Sequence, residues 1–356
     1  MRKARITRVL RSLEREVRGG QKGNALATTV KAASKYSYRF GSDWHYRIAV
    51  ANDLATRRKA WSAVYDSYRE IRYLEHHPSE LRVVLQDASP ATTSFLVEEN
   101  STGEVQATFT LTPDNPLGLP LETYYAAEVE ALRAKGRKPC EISKLVAFSL
   151  CKGKKSEEKK PGLEVLLNVF RLAYLTARRL EACTDFVIAV VPRHVRFYQR
   201  LMLFEPLGEA RSYESLNGLE TVLLRLDLLK GEERFRAKFG GLAGSKNLYN
   251  FFINDDEPVI LEWLRRERRP MSAREFQHFF MEQTNIYNEA TPEQRLILQD
   301  YYLAYDLESA IASAECARER VCDALLYSGG GKGAPLPAQP VIASTQTLMA
   351  SNRLRA

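Results

Sequence analysis

The sequence predicts an α/β fold with a mixed, partly antiparallel sheet, followed by a helical C-terminal extension. Three observations predict it. Apolar, β-rich runs alternate with helical periodicity from residue 45 to residue 228, a short turn at 100–103 joins two of the runs into a hairpin, and residues 229–327 carry only helical patterns. A short-loop hairpin within an alternating order favours a partly antiparallel sheet over a doubly wound parallel one.

Residues that can cap a helix N-terminus mark the starts of several predicted helices. Asp53 can cap the first long helix by accepting a hydrogen bond from its first turn. Ser272 with Glu275 has the spacing of a capping box, and Thr291 before Pro292 marks another helix start. We predict strands at 45–51, 93–98, 105–112, 142–149, 186–191 and 221–228, and helices at 53–73, 124–133, 163–180 and 193–202.

The composition is that of an ordinary globular protein, with 45% hydrophobic and 27% charged residues among 356. Residues 1–31 hold nine basic and two acidic residues, which account for seven of the eight net positive charges. The remaining 325 residues are nearly neutral, so a large basic face for a nucleic-acid duplex is not predicted. Five cysteines without CxxC spacing favour a reducing cytoplasm over a disulfide framework or a structural zinc site.

The first 18 residues predict a short basic amphipathic helix, followed by a glycine-containing linker. This segment is either a solvated leader or a surface for anionic lipid or an acidic protein. No run of about 18 apolar residues and no secretory signal is found, so we expect a cytoplasmic protein, with peripheral contact at the inner membrane as the further hypothesis. The expected organisation is a leader and linker at 1–35, an α/β domain at 36–228, a helical region at 229–327 and a disordered tail at 328–356.

The most informative stretch is 190–208, VVPRHVRFYQRLMLFEPLG. An apolar strand ends in a proline, and a short helix then carries the pair Phe197–Tyr198. This resembles the later half of the GNAT acyltransferase fold, in which a "GF" turn follows the pair; Leu203 replaces that glycine here. The resemblance implies that the strands at 142–149 and 186–191 splay apart to admit the pantetheine arm of an acyl donor. Unpaired backbone groups on such strands suit an amide-rich arm.

Further motifs occur in order along the chain. They are Asp114–Pro120, Tyr125 with Glu128, Leu132–Arg133, Glu141–Leu145, Pro192–His194, Phe197–Tyr198, Gly208, Tyr213 and Asn217–Gly218. Read together, they resemble the N-acyl amino acid synthase family over about residues 45–228. The resemblance implies transfer of a long acyl chain from acyl carrier protein to an amino acid such as tyrosine.

Other functions remain open. The same fold hosts acyl-homoserine-lactone synthases and exosortase-associated acyltransferases, and the Glu-x-Ser-Lys segment resembles the Glu-x-x-Arg element of the lactone synthases. Lys144 replaces that arginine, and the tryptophan expected near Tyr73 is missing, which weakens the S-adenosylmethionine-dependent alternative. A GNAT enzyme that acetylates a small amine from acetyl-CoA, and a non-catalytic binding module, are the remaining alternatives.

The resemblance implies three catalytic residues, each with a structural alternative. Tyr198 would protonate the leaving thiolate, or it packs the helix on the sheet. Glu141 would take a proton from the attacking ammonium, or it is a surface residue at the start of a strand. His194 would transfer protons, or it accepts hydrogen bonds in the first turn of its helix.

Residues for substrate binding follow from the same resemblance. Asp114 would bind the acceptor amine or cap its turn, and Arg193 would bind a carboxylate or phosphate or remain solvated. Apolar burial favours a long chain by about 0.8 kcal/mol per methylene. The further candidates for substrate contacts and the acyl channel are Leu117, Gly118, Leu119, Glu128, Ser143, Lys144, Phe197, Leu163, Leu166 and Phe170.

The expected partners are an acyl carrier protein and an amino-acid acceptor, with no resident cofactor and no metal. The acyl thioester, of the carrier protein or of coenzyme A, is a co-substrate. A loop at 152–162 holds five lysines and lacks the glycine-rich pyrophosphate pattern of GNAT proteins. Lysines there suit an acidic carrier protein better than free coenzyme A.

Overall fold

A computed structural model describes residues 38–40, 45–147, 162–253 and 257–302, all within one compact unit, Met1–Ala312. The predicted basic leader, most of the lysine loop and the predicted disordered tail lie outside the described residues. No helix in these described ranges is both long and apolar enough to cross a membrane.

The strands form one mixed sheet. Within the described ranges its order is β1-β2-β3-β4-β5-β6-β8-β7, and every neighbouring pair is antiparallel except β5 with β6. The predicted mixed, partly antiparallel sheet is therefore confirmed. The strands are β1 Tyr38–Phe40, β2 Tyr46–Val50, β3 Thr93–Glu99, β4 Val105–Pro113, β5 Pro139–Ala147, β6 Asp185–Val190, β7 Glu205–Tyr213 and β8 Leu219–Asp227.

The sequence analysis did not predict β1 and β7, and it placed the start of β5 too late in the chain. β7 is an edge strand whose residues are mostly exposed and polar, so it lacks the apolar alternation that identifies a half-buried strand. β1 has only three residues. β5 begins at Pro139, so Glu141 lies inside the strand and not at its start.

The helices begin at the predicted caps. Asp53 accepts from the Thr56 N–H at 2.8 Å, and Ser272 forms a reciprocal capping box with Glu275. The first helix ends at Glu70, before Arg72 takes a left-handed conformation. The helices are α1 Leu54–Glu70, α2 Glu122–Arg133, α3 Gly162–Tyr174, α4 Pro192–Leu201, α5 Gly231–Phe239, α6 Leu248–Phe252, α7 Glu257–Glu267, α8 Ala273–Phe276, α9 Ile286–Glu289 and α10 Pro292–Tyr302.

Alternating residues place apolar side chains on both faces of the sheet. Ile188 and Leu224 belong to the larger core, which includes α3, α4 and aromatic residues of α5 and α6. Val187 and Leu223 face the opposite side, where they pack with Tyr125 of α2. The sheet is therefore a middle layer between helices.

The helices after residue 229 pack against the α/β part through polar contacts as well as apolar ones. Arg57 of α1 forms an ion pair with Glu275 and donates to the Arg269 carbonyl at 3.0 Å. The Tyr302 hydroxyl donates to the Ala88 carbonyl at 2.7 Å. These contacts attach the C-terminal helices to α1 and to the segment before β3.

Candidate active site

A cleft opens in the middle of the sheet because β5 and β6 pair over only three rows. The last pair joins Glu141 to Val187, although β5 continues to Ala147 and β6 to Val190. Beyond that row the two parallel strands separate, as the fold resemblance implies. Their unpaired backbone groups line a gap.

A bulge in β5 helps to turn the strand away. The pairing of β4 with β5 shifts register between Thr108 and Thr110, and Lys144 opposite this shift has φ of 51°. The Lys144 ammonium forms a buried ion pair with Asp87, and its carbonyl accepts from the Thr108 hydroxyl at 3.0 Å. Burial lowers the pKa of Lys144, while the Asp87 carboxylate opposes that effect. Lys144 is thus engaged with Asp87 and anchors the bulge.

The cleft encloses a volume of ≈ 260 Å³. It is walled by the separated ends of β5 and β6, by α3 and α4, and by the end of α1, with apolar residues predominating. Its lining includes Tyr68, Ile142, Ser143, Leu145, Leu166, Phe170, Ile188, Val190, Arg193, His194, Phe197, Tyr198, Tyr213 and Leu219.

Glu141 stands in the last row in which β5 pairs with β6, directly before the cleft-lining residues Ile142 and Ser143, and is 5% exposed. Its carboxylate accepts from the Leu121 N–H at 2.8 Å. Burial raises the pKa of Glu141 to about 8, although the Leu121 N–H and the Lys144 ammonium partly counteract this. A carboxyl with this pKa can accept a proton near neutral pH, which an ordinary surface carboxylate does poorly.

Tyr198 lines the cleft from α4. Its ring packs edge-on against Phe170, Phe197 and Phe204 at centroid separations of 5.3 to 6.1 Å. Burial, and then the proximity of Tyr68, raises the pKa of Tyr198, so its hydroxyl stays protonated. That hydroxyl makes no hydrogen bond with the residues that the structure describes, so it is free to donate to a ligand.

Tyr68 is a cleft residue that the sequence did not single out. Burial raises the pKa of Tyr68, and Glu141 adds to that rise. Tyr68 also contributes to the raised pKa of Tyr198, and both side chains line the cleft. Helical spacing puts Tyr68 on the buried face of α1, and nothing local distinguishes it from a core aromatic.

His194 and Arg193 line the outer part of the cleft at the start of α4. Burial, and then the Arg193 charge, lowers the pKa of His194 to about 4, so the imidazole is neutral at neutral pH. Its Nε2 accepts from Arg193 Nε at 3.3 Å, and Arg193 also donates to the Tyr73 hydroxyl at 2.8 Å. The arginine is exposed, whereas the histidine is partly buried.

Ser143 supplies an unused polar group to the cleft. Its hydroxyl oxygen is buried, and it has no hydrogen-bond partner among the described residues. Leaving such a group unpaired costs about 1–3 kcal/mol, so a ligand that pairs with it gains affinity. Ser143 lies in the part of β5 that pairs with β4 but no longer with β6, two residues after Glu141.

The turn at 114–120 does not line the cleft, and its connection to the site runs through the next residue, Leu121. Asp114 is held by Arg133, with its Oδ1 2.6 Å from Nη2, and Arg133 also binds Glu122. Asp114 is not among the cleft-lining residues, and neither are the buried Leu117 and Leu119. The turn leads into Leu121, whose N–H is bonded to Glu141.

Glu128 also has a structural partner. Arg211 Nη1 of β7 donates to its Oε2 at 3.1 Å. Gly208 lies beside this pair, and a Cβ there would be 3.0 Å from Glu128 Oε1. The pair therefore explains both Glu128 and Gly208 as packing of α2 on β7, away from the cleft lining.

Leu166 and Phe170 of α3 and Phe197 of α4 line the cleft. The side chain of Leu163 is outside the described part of the structure. Within the described ranges, no group of three or more His, Cys, Asp or Glu residues could hold a metal ion.

The mixed sheet with its separated parallel strands is that of a GNAT-type fold. Residues 59–227 match the family model described as "FeeM: N-acyl amino acid synthase FeeM", and the chain is an acyltransferase. The resemblance predicted from the sequence is confirmed over this range. No protein with a curated function matches the chain.

Several solved structures are similar to about half of the chain. FeeM, an N-acyl amino acid synthase from uncultured soil microbes, is 20% identical over 55% of this chain and 98% of its own, with a TM-score of 0.45. The AHL synthase LasI is 16% identical over 56% and 97%, with a TM-score of 0.38. The CoA-dependent acyl-homoserine lactone synthase BjaI is 12% identical over 58% and 96%, with a TM-score of 0.37.

Proposed function

We propose that this protein transfers a long-chain fatty acyl group from an acyl carrier protein to the α-amine of an amino acid. The observation that carries the proposal is the largely apolar cleft between β5 and β6, which begins one residue after the buried carboxyl of Glu141. A thioester arm would enter between the separated strands. Its carbonyl carbon would then lie between Glu141 and Tyr198.

The proposed reaction needs no covalent enzyme intermediate. The amine nitrogen attacks the thioester carbonyl, so a C–N bond forms and the C–S bond breaks. Ionised Glu141 takes a proton from the attacking nitrogen, and the Tyr198 hydroxyl gives a proton to the departing sulfur. Tyr198 then regains its proton through solvent from Glu141, so an amide and a free thiol are the only products.

The remaining cleft residues support the same assignment. His194 is neutral, so it does not repel the ammonium form of the acceptor amine. Arg193 is a cation at the outer rim, where a carboxylate or a phosphopantetheine phosphate would pass. The Ser143 hydroxyl is available for the pantetheine amides or for the substrate carbonyl.

In this proposal Asp114 and Glu128 have a structural role and do not bind the substrate. Both are engaged by arginines, so the acceptor amine is assigned to the Glu141 end of the cleft. Asp114, Gly118 and Glu128 instead support the turn and the α2 packing that hold the Leu121 N–H against Glu141.

Expression in a bacterium, followed by mass spectrometry of extracted lipids, tests the proposal. A new N-acyl amino acid should accumulate with the wild-type chain and fall by about 10²–10⁴-fold with Glu141→Gln or Tyr198→Phe. Glu220→Gln, at an exposed carboxylate on β8, is the matched control and should retain product.

Other products would redirect the assignment. An acetylated small amine formed from acetyl-CoA would favour the acetyltransferase alternative, and an acyl-homoserine lactone would favour the lactone synthases. No thioester turnover with any donor, for a folded protein, would refute an enzymatic role for this cleft.

The donor is a separate question. Lysines at 152–160 without a glycine-rich pyrophosphate pattern support the carrier protein. Kinetics with carrier-bound and CoA-bound acyl groups of equal length should give the higher kcat/KM for the carrier protein. Charge reversal at Lys154, Lys155, Lys159 and Lys160 should lower that value most at low salt. An equal or higher kcat/KM with acyl-CoA would contradict the carrier assignment while leaving the acyl transfer intact.

A further inference from the structure

A second apolar pocket lies next to the cleft. It encloses ≈ 40 Å³, and its lining is almost entirely apolar. Phe170 lines both this pocket and the cleft, so the two spaces are neighbours at this side chain. The lining comprises Phe170, Tyr174, Phe186, Met202, Leu226, Leu228, Gly231, Glu232, Phe235, Phe252 and Ile253.

Half of this pocket is built by the helices that follow the α/β domain. Gly231, Phe235 and Phe252 belong to α5 and α6 and lie beyond residue 227, where the family match ends. Phe235 and Phe252 pack edge-on at 5.2 Å between ring centroids. The α5–α6 pair therefore supplies a wall that the matched segment alone lacks.

Polar contacts hold α5 in place beside the pocket. The Tyr174 hydroxyl donates to Glu232, and Arg179 donates to the same carboxylate at 2.7 Å. Arg179 also binds Glu257 of α7 at 2.8 Å. These contacts fix α5 relative to α3 and to the segment that follows it, and the rest of the pocket lining is apolar.

We infer that this pocket receives the terminal methylenes of the acyl chain, so that α5 and α6 set the maximum chain length. The inference rests on the proposed function and goes beyond it, because it assigns a substrate-specificity role to residues after the matched segment. A volume of ≈ 40 Å³ exceeds the space needed for one water, but an apolar lining offers water no hydrogen bonds. The end of a fatty chain that passes Phe170 is the occupant that matches both the lining and the position.

Gly231 offers a direct test. It is buried, it lines the pocket, and a Cβ built on it meets no atom within 4 Å. A larger side chain at this position therefore grows into the pocket and not into neighbouring atoms. Gly241 is the matched control, because it is exposed and its Cβ also meets no atom within 4 Å.

The experiment measures kcat/KM for saturated acyl thioesters from about C8 to about C18 with the wild type, Gly231→Ala, Gly231→Leu and Gly241→Leu. Each methylene excluded from an apolar site should cost about fourfold, so loss of about three methylenes should cost about 60-fold. We expect Gly231→Leu to show this loss for the longest chains and wild-type rates for the shortest. Gly231→Ala should show a smaller loss in the same direction, and Gly241→Leu none.

The outcomes separate the inference from the proposed function. Thermal unfolding checks folding, and the Tm of Gly231→Leu should equal or exceed that of the wild type because the side chain fills a void. If the wild type is active and Gly231→Leu shows the same dependence of kcat/KM on chain length as Gly241→Leu, the inference is wrong. The proposed function is not affected by that result. A wild type that turns over no acyl thioester overturns both.

Discussion

The raised pKa of Glu141 predicts an unusual pH dependence of stability, which the variant Glu141→Gln exposes. The pKa is about 8 in the folded protein, compared with 4.5 for an unperturbed glutamate. Folding therefore favours the protonated carboxyl. Below about pH 4.5 both the folded and the unfolded chains carry the proton, so this group has no effect on the free energy of unfolding.

The magnitude follows from the two pKa values. Between about pH 4.5 and about pH 8 the folded state keeps a proton that the unfolded state releases, so the free energy of unfolding falls by about 1.4 kcal/mol per pH unit. The total loss is about 5 kcal/mol, and it stays constant at higher pH. Glutamine has nearly the same shape, accepts from the Leu121 N–H and does not titrate, so Glu141→Gln should lack this loss.

Urea unfolding of both proteins at about pH 5 and about pH 9 measures the effect. The stability of Glu141→Gln relative to the wild type should rise by several kcal/mol between these two conditions. Glu220→Gln, at an exposed carboxylate, should leave the relative stability independent of pH. A difference between Glu141→Gln and the wild type that stays constant with pH would show that Glu141 titrates as an ordinary carboxyl, and the argument from burial would be wrong.

The same group sets the expected activity profile. If Glu141 is the base, kcat/KM should rise about tenfold per pH unit up to about pH 8 and then level off, because only the ionised fraction accepts a proton. A profile that levels off near pH 5 would remove Glu141 from that role even if the variant is inactive.

Three further predictions concern groups around the site. Tyr198→Phe should lower kcat by about 10²–10⁴-fold in a thiol-release assay while leaving Tm nearly unchanged, and a wild-type rate would exclude the hydroxyl as the acid. Asp185→Ala should reduce the free energy of unfolding in urea by about 3 kcal/mol, because this fully buried carboxylate pairs with two arginines; a loss below about 1 kcal/mol would contradict that reasoning. Gly118→Ala should cost about 1–2 kcal/mol in the same assay, because φ is +73° and a carboxylate oxygen lies 3.2 Å from the new Cβ. Gly136→Ala, with φ of +68° and no atom near its Cβ, isolates the backbone contribution and should cost less.

Local signals in the sequence predicted most elements of the fold. Apolar periodicity identifies α1, α3 and the buried strands, because each of them presents an apolar face to the core. Asp53 and Ser272 mark helix starts through hydrogen bonds within a single turn, and these depend on no distant residue. The edge strand β7 escaped prediction because its exposed side chains leave no such pattern.

The candidate site likewise has features that the sequence predicts and features that only the folded structure shows. The sequence by itself determined the class of the protein and brought forward Glu141 and Tyr198, because these residues stand in motifs that can be read along the chain. Tertiary structure alone decided that Tyr68 and Tyr198 line one cleft, that Lys144 pairs with Asp87, and that β5 and β6 separate after three rows. It also brought Gly231 to a pocket beside Phe170. The physical reason is that these relations join segments far apart in the chain, so they exist only once the sheet and its covering helices have packed.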